Sequence, residues 1–269
     1  MEGNFQFHCI DDLEIMNINL PHAWAVFSTK KGGTSSRDFC GLNMALHVGD
    51  DIQSVLDNRR RFAQAAGFSF DNVVCAQQVH GINVEQVGFK ERGKGAGSYE
   101  DAIPDTDAMI TAEQGVILAA FFADCVPVYI ADPVKGVVAL AHAGWKGTLN
   151  GIVGQTLQRM QKDNGTDPSD CFAFIGPSIG PCCYEVSREL ACTFEKKGFP
   201  VGCSYTGLKE KWMLDLWEAN KKDLIVAGLS PQNIEISGIC TVCWDTRFFS
   251  HRRDAGRTGR MAAFISLTE

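Results

Sequence analysis

Three side chains that can bind a metal ion stand where apolar runs meet turn residues. They are His80 in the segment QVHG, Cys125 in ADC and His142 in AHAGW. Two imidazoles and one thiolate form a good ligand set for zinc, and three protein ligands leave a fourth position for water or substrate. Such an open site is typical of a catalytic metal. The sequence therefore favours an enzyme in which these three residues are both ligands and catalytic groups.

Asp124 precedes Cys125 and is the fourth candidate for the catalytic site. In an extended backbone, the side chains of adjacent residues point to opposite faces. Asp124 would then orient the site or cap a turn, and it would transfer a proton itself only if the backbone bends there. Both roles stay open at this point.

Two basic residues are candidates for binding an anion. Lys146 lies in GWKGT, just before a predicted helix whose free N–H groups and dipole attract negative charge. The alternative is an ordinary turn with an exposed lysine. Arg252 lies in FSHRRD and can offer a guanidinium fork to the same anion. The neighbouring Arg253 and Asp254 can equally pair with each other.

Composition and charge limit the class of protein and its partners. The chain has 269 residues, 45% hydrophobic and 21% charged, and we assign residues 1–269 to a single domain. A net charge of −7 gives no support for binding to nucleic acid or to an anionic membrane. The longest apolar stretch, 116–130, is interrupted by Asp124 and Pro127 and is not predicted to span a membrane. Nothing in the sequence specifies an oligomeric state.

The eleven cysteines are expected to be mostly reduced thiols. No basic segment followed by an apolar stretch opens the chain, so no signal peptide is predicted and a cytoplasmic enzyme is expected. The pair Cys182-Cys183 and the spacing Cys240-x-x-Cys243 are weak zinc or redox signals on their own. The H-x-E motif of zinc nucleobase deaminases is absent. The H-x-H pairs of cupredoxin-type copper oxidases are absent as well.

The elements that position these residues are strands and helices without strict alternation. Helices are predicted from residues 50 and 51 to about residue 66, and over 147–160, 187–197 and 211–227. Strands are predicted over 73–77, 115–123, 126–131, 136–141, 171–175, 234–240 and 264–267. Antiparallel pairing of 126–131 with 136–141 would bring Cys125 close to His142, while His80 arrives from a separate strand. The pattern favours a mixed-sheet α/β or α+β fold over a barrel or a dinucleotide-binding fold.

Seven segments follow one another along nearly the whole chain from about residue 20. They are 29–35 (TKKGGTS), 42–44 (LNM), 78–81 (QVHG), 123–128 (ADCVPV), 141–147 (AHAGWKG), 175–179 (IGPSI) and 249–253 (FSHRR). In this order they resemble the YfiH-like family, also called the laccase-domain, polyphenol oxidase or multifunctional purine nucleoside phosphorylase family.

The resemblance implies a layered α/β sandwich of mixed β-sheets flanked by helices, with zinc at the positions of His80, Cys125 and His142. It also implies phosphate-dependent cleavage of adenosine, inosine, guanosine and methylthioadenosine, and deamination of adenosine to inosine. The older family name implies copper-dependent oxidation of phenols. We give this less weight because such a site can take up Cu2+ adventitiously.

A mechanism follows as a hypothesis. Phosphate, held near Lys146 and Arg252, attacks C1′ of the ribose while the purine leaves. In the deamination, a water activated by zinc attacks C6 of adenine. Asn43 and Arg59 are candidates for contacting the nucleoside.

Two rival hypotheses come from other classes. In the first, Cys125 is a nucleophile with His142 as its base, which would make the protein a thiol hydrolase or deamidase without a metal. In the second, the metal is structural, and one of Cys182, Cys183, Cys240 or Cys243 completes a closed site with four ligands.

Overall fold

The computed structural model describes residues 4–199, 201–206 and 209–268. In chain order, the strands of this part are β1 (Phe5–Ile10), β2 (Leu13–Leu20), β3 (Ala23–Ser28), β4 (Val73–Cys75), β5 (Val84–Gln86), β6 (Ala108–Thr111), β7 (Ile117–Phe122), β8 (Val126–Asp132), β9 (Val137–Ala143), β10 (Phe172–Ile175), β11 (Glu185–Val186), β12 (Val201–Thr206), β13 (Lys209–Leu214), β14 (Ile234–Ile236) and β15 (Met261–Leu267). The α-helices are α1 (Ile52–Ala66), α2 (Trp145–Leu149), α3 (Ile152–Asn164), α4 (Arg188–Lys196) and α5 (Leu216–Val226).

Two six-stranded mixed sheets form the centre of the fold. The first has the order β1-β2-β3-β15-β7-β4 and the second the order β14-β10-β8-β9-β6-β5. Side chains from both sheets share one apolar core, which includes Phe27 and Phe122 from the first and Tyr129 and Phe174 from the second. The buried Tyr129 hydroxyl donates to the carbonyl of Val26 in the opposite sheet at 3.0 Å. Facing sheets of this kind bury the apolar side of both at once.

Helices cover the outer faces of both sheets, which confirms the predicted layered α/β sandwich. The ring of Phe62 in α1 stacks on Phe264 of the first sheet at 5.3 Å. On the second sheet, α3 and α5 bury Ile152, Leu157 and Leu224 in a separate apolar cluster. A small third sheet has the order β11-β13-β12. Within the described ranges, no helix combines the length and the apolar surface required to cross a membrane.

The strands β8 and β9 form the antiparallel unit expected from the sequence. Their register pairs Val126 with Ala143 and Pro127 with His142. Cys125, the residue before β8, therefore lies at the same end of the sheet as His142. The helix predicted from residue 51 is also confirmed. Asp51 caps α1, and Gly67 ends it with a left-handed φ of 77°.

Two predicted helices were wrong in extent. The segment 147–160 is divided into α2 and α3, because Gly151 between them takes a φ of 77° that interrupts the helix. In the segment 211–227, residues 211–214 belong to β13, which pairs with β12. The helix begins later, after Asp215, whose side chain caps it by accepting a hydrogen bond from the N–H of Glu218. The three strands β1, β2 and β3 were not predicted.

Candidate active site

His80, Cys125 and His142 meet at one end of the second sheet, and we call them the cavity triad. One donor atom from each lies within 4.8 Å of the other two. Sγ of Cys125 is 3.7 Å from Nε2 of His80, and the two imidazole centroids are 4.8 Å apart. His142 is buried, Cys125 is partly buried and His80 is exposed. The triad therefore opens from the interior towards solvent.

Asp107 holds both histidines in place. Its carboxylate accepts hydrogen bonds from the backbone N–H groups of Val79, His80 and Gly81 at 3.2, 3.0 and 2.6 Å. Nδ1 of His142 donates to the same carboxylate at 2.8 Å. Because Nδ1 is occupied, Nε2 is the ring nitrogen of His142 that remains free for a metal, as is usual for ligating histidines with a carboxylate partner.

The backbone of His80 has a φ of 60°, which is uncommon for a residue other than glycine. The three bonds to Asp107 compensate this conformation and fix the direction of the His80 ring. Sequence reasoning missed Asp107. Its only local signal is a position directly before β6, whose Ala108 pairs with Ala141 in β9.

Gly144 allows the His80 loop and the Cys125 turn to approach each other closely, and Gln78 holds that loop against β7. A Cβ at position 144 would lie 2.9 Å from Cδ2 of His80 and 3.1 Å from Sγ of Cys125, so a side chain there would separate the triad. The Gln78 amide accepts from the N–H of Phe121 at 2.8 Å and donates to its carbonyl at 3.0 Å. These bonds attach the His80 loop to β7.

Charge interactions within the triad stabilise a thiolate. Burial alone would raise the pKa of Cys125, but the charges and hydrogen bonds of His142 and His80 outweigh it and lower this pKa from 9.0 to about 6. Burial likewise lowers the pKa of His142, but Cys125 and Asp107 reverse the shift and raise it from 6.5 to about 9. Without a metal, the pair is therefore a thiolate beside an imidazolium near neutral pH.

Asp124 lies at a sharp bend, with a φ of 82°. Its carboxylate accepts from the Thr241 hydroxyl at 2.7 Å, from the Ser250 hydroxyl at 3.1 Å and from the Arg252 N–H at 2.6 Å. Both oxygens are thus occupied, and the side chain is only 8% exposed. This arrangement ties the Cys125 turn to two later segments of the chain.

A cavity of about 430 Å³ opens above the triad. Its size is in the range of pockets that bind small molecules. The triad and Asp124 line it together with His47, Gln78, Phe121, Ala123, Trp145, Ile179, Tyr184, Leu216, His251, Arg252 and Arg260. Arg252 was expected here from the sequence, whereas His47, Tyr184 and Arg260 were not.

Asn43 and Arg59 do not line the cavity, so their placement does not support the expected contact with a nucleoside. Asn43 is fully buried, and its side chain accepts from the N–H of Arg260 at 2.9 Å. Arg59 donates to the carbonyls of Met44, Gly95 and Ala96. Its guanidinium also lies 4.5 Å from the centroid of Phe121. The two residues lie behind the cavity wall, where their polar atoms already have hydrogen-bond partners within the fold.

Lys146 also lies outside the cavity lining. It is exposed at the start of α2, and its Nζ is 5.6 Å from the ring of Trp145. The alternative of an ordinary turn with an exposed lysine fits this position better than the expected anion site. Arg253 pairs with Asp254 at 2.8 Å, the second of the two possibilities that its sequence left open.

Four other cysteines form a separate group. Cys182, Cys183, Cys240 and Cys243 place their sulfur atoms within 4.8 Å of one another, and none of them is grouped with the triad. The structure therefore does not support the hypothesis that one of them completes the triad as a fourth ligand.

Known proteins resemble this chain over nearly its whole length. The family described as multi-copper polyphenol oxidoreductase laccase matches residues 24–268. The purine nucleoside phosphorylase YlmD of Geobacillus stearothermophilus is 44% identical over 256 residues, which cover 93% of this chain and 92% of that protein. The adenosine deaminase RL5, from an unknown prokaryotic organism, is 35% identical over 240 residues, 87% of this chain and 90% of that protein.

The solved structures show the same likeness in three dimensions. The crystal structure of YlmD from Geobacillus stearothermophilus matches with a TM-score of 0.92 and 42% sequence identity, over 99% of this chain and 100% of that one. Identity at this level over almost the full length shows common family membership as well as a common fold. The chain is an enzyme and belongs to the YfiH-like, laccase-domain family.

Proposed function

We propose that the protein is a zinc-dependent purine nucleoside phosphorylase that also deaminates adenosine. The proposed substrates are phosphate and the nucleosides adenosine, inosine, guanosine and methylthioadenosine. The observation that carries this proposal is the convergence of His80, Cys125 and His142 on a cavity of about 430 Å³. The similarity to a phosphorylase and to an adenosine deaminase supports both activities on one site.

The donor set of the cavity triad fits zinc. Zn–N and Zn–S distances of about 2.0 and 2.3 Å imply an N···S separation of roughly 3.5 Å in a tetrahedral site, and Cys125 Sγ lies 3.7 Å from His80 Nε2. Blue-copper sites add an axial methionine to two histidines and a cysteine, and no methionine is among the described residues lining the cavity. When bound, zinc supplies Lewis-acid chemistry at the open side of the triad.

Arg252 and Arg260 are the proposed phosphate contacts, because both are cationic residues that line the cavity. Arg252 lies 5.0 Å from the centroid of the Tyr184 ring and uses Nη1 to donate to the Glu185 carbonyl at 2.8 Å. Its other N–H groups are available for a charge-assisted bond to a phosphate oxygen. We therefore assign phosphate to this side of the cavity instead of to Lys146.

His47 is the proposed partner of the purine. Its ring lies 5.2 Å from that of Tyr99 and 6.3 Å from that of Phe121, and Phe121 lines the cavity together with His47. Desolvation in the cavity and the charge of Arg260 lower the pKa of His47 from 6.5 to about 4. A neutral imidazole at pH 7 can stack on a base without the cost of burying a charge.

Asp124 is a positioning residue in this proposal. Its two oxygens already accept three hydrogen bonds, so they have little capacity left to take a proton from substrate. By holding Arg252 and the Cys125 turn together, the carboxylate aligns the proposed phosphate and metal sides of the cavity.

The test is chromatography of inosine incubated with zinc-loaded protein, with and without phosphate. We expect hypoxanthine and ribose 1-phosphate only in the presence of phosphate. His80→Ala should abolish this activity and the conversion of adenosine to inosine, while the exposed His8→Ala should change neither. Phosphate-independent release, or activity retained by His80→Ala, would contradict the proposal.

A thiol hydrolase is the second candidate. It is favoured by the position of Cys125 Sγ, 3.7 Å from Nε2 of His80 and grouped with His142, since these imidazoles lower the pKa of Cys125 to about 6. A thiolate next to an imidazolium is the arrangement used by cysteine nucleophiles. This candidate predicts activity that survives removal of the metal, whereas the phosphorylase proposal predicts loss of activity and its recovery on addition of zinc.

A further inference from the structure

We propose that Cys182, Cys183, Cys240 and Cys243 form a second zinc site, closed by four thiolates and structural in function. We call these residues the cysteine cluster. The site is separate from the cavity triad and does not depend on the function proposed above.

The sulfur positions suit a single tetrahedral ion. Sγ of Cys243 lies 3.7 Å from that of Cys182 and 3.5 Å from that of Cys183. All four sulfur atoms lie within 4.8 Å of one another. A Zn–S distance of about 2.3 Å requires S···S edges of about 3.8 Å in a regular tetrahedron. The cluster therefore needs only small side-chain adjustments to surround one ion.

A backbone N–H group points at the most buried sulfur. Gly180 donates to Sγ of Cys240 at 3.3 Å. Cys240 is only 4% exposed. A hydrogen bond of this kind stabilises a thiolate ligand around a metal. The contact therefore suits Cys240 to the role of a thiolate ligand.

The fold, and not a flexible loop, brings the two cysteine pairs together. Strands β10 and β14 are parallel neighbours, and each pair of cysteines follows one of them. A bridge between Ser178 and Cys240 continues this pairing beyond the strands. After the bridge, the two turns diverge from strand geometry, so an ion shared by the four thiolates would be their main cross-link.

Four thiolates are a soft ligand set that selects zinc or iron over harder cations. A closed set leaves no position for substrate, which indicates a structural ion. The cluster stands behind the cavity wall. Tyr184, next to Cys183, lines the cavity, and Thr241, next to Cys240, donates to Asp124 at 2.7 Å. The ion would thus hold in place the part of the cavity wall that includes Tyr184, and also Thr241, which donates to Asp124.

The experiment is metal analysis of protein purified under reducing conditions with zinc and then freed of loosely bound metal. Wild type should hold two zinc ions per chain. Cys243→Ser and His80→Ala should each hold one, because each removes a ligand from a different site. Cys40→Ser, an exposed cysteine outside both groups, should still hold two.

Spectroscopy on His80→Ala keeps the test decisive even if Cys243→Ser does not fold. The remaining ion should show a sulfur-only first shell by X-ray absorption, and cobalt in its place should give the intense thiolate charge-transfer bands of a tetrahedral site. One zinc in wild type with none in His80→Ala would overturn the proposal. Iron at the cluster, or a disulfide between two of its cysteines in freshly purified protein, would overturn it as well.

Discussion

The cavity triad and the cysteine cluster differ in how their ligands are gathered and in what surrounds them. The triad combines two imidazoles and one sulfur from a loop, a turn and the end of β9, and its open side faces a cavity. The cluster combines four sulfurs from two neighbouring turns, so an ion bound by all four would have no free coordination position. The number of protein ligands therefore separates a site suited to chemistry from a site suited to holding the fold.

The supports differ in the same way. Asp107 orients both histidines of the triad through a buried carboxylate. The cluster instead receives the backbone N–H of Gly180 at Cys240. A carboxylate partner makes an imidazole a stronger ligand and fixes its direction, whereas N–H donors reduce the charge that accumulates on thiolates. Each site thus has the support that its ligand type requires.

The largest expected effect concerns the thiol of Cys125 after chelation. Its alkylation by iodoacetamide should rise as the pH passes about 6 and level off above that value, because the thiolate is the reactive form. His142→Asn should move the midpoint towards 9.0. A full return of the pKa from about 6 to 9.0 is about a thousandfold change in the ionisation constant. His47→Asn, which removes a different cavity imidazole, should leave the midpoint in place.

Zinc-loaded protein supplies the control for this prediction. Cys125 should resist alkylation until a chelator is added. Rapid labelling with zinc still bound would mean that Cys125 is a free nucleophile. The cavity triad would then not be an open metal site, and its comparison with the cysteine cluster would be wrong.

Asp107→Asn should weaken metal binding at the triad about 10- to 100-fold, the usual effect of losing a carboxylate partner of a ligand. The affinity of the cysteine cluster for zinc should not change. Competition with a chromophoric chelator measures the zinc affinity of each site. The matched control is Asp132→Asn, another buried carboxylate, which accepts bonds from Val134 and Lys135 in a turn. It should lower thermal stability without changing either affinity. If both variants lost zinc affinity at the triad to the same extent, the role of Asp107 would be purely structural.

Two glycines should affect the two sites separately. A Cβ at Gly144 meets His80 and Cys125, while one at Gly180 meets the Trp217 ring at 2.7 Å and Cβ of Cys240 at 3.2 Å. Overpacking costs about 1–3 kcal/mol, so each alanine variant should weaken its own site about fivefold or more. Gly97→Ala, with open space around its Cβ, should be neutral. If Gly144→Ala depleted the cluster as well, the sites would be coupled and not independent.

The smallest effect is expected for Lys146→Ala. Because the lysine is exposed and outside the cavity lining, the KM for phosphate should change by no more than about twofold, as is usual for surface charges. Arg252→Ala should raise this KM clearly more than Lys146→Ala does. The reverse order would return the phosphate site to the start of α2.

The parts of the fold that the sequence predicts correctly depend on local patterns. Two apolar runs separated by turn residues define the β8–β9 unit and so the approach of Cys125 to His142. The ends of α1 follow from the capping carboxylate of Asp51 and the left-handed Gly67. In both cases the relevant signals lie within a few residues of the feature that they determine.

Features that depend on distant partners were missed or misplaced. Asp107 becomes important only because the 78–81 loop folds over it. Arg59 is charged and was expected at a substrate, yet three backbone carbonyls that no sequence pattern reveals surround it. Residues 211–214 of β13 were predicted as helix, because the pairing of this strand with β12 is a tertiary contact. The two cysteine pairs were weak signals separately, and only the adjacent strands β10 and β14 join them.

The topology has a consequence for the order in which the chain folds. All strands of the second sheet come from the stretch between Val84 and Ile236, so this sheet can pair without β15. The first sheet cannot, because β15 inserts between β3 and β7. Loop closure over such a separation is slow compared with local pairing. The cysteine cluster can therefore assemble before β15 docks, whereas Phe121 and Arg260 take their places around the cavity only after β15 has docked.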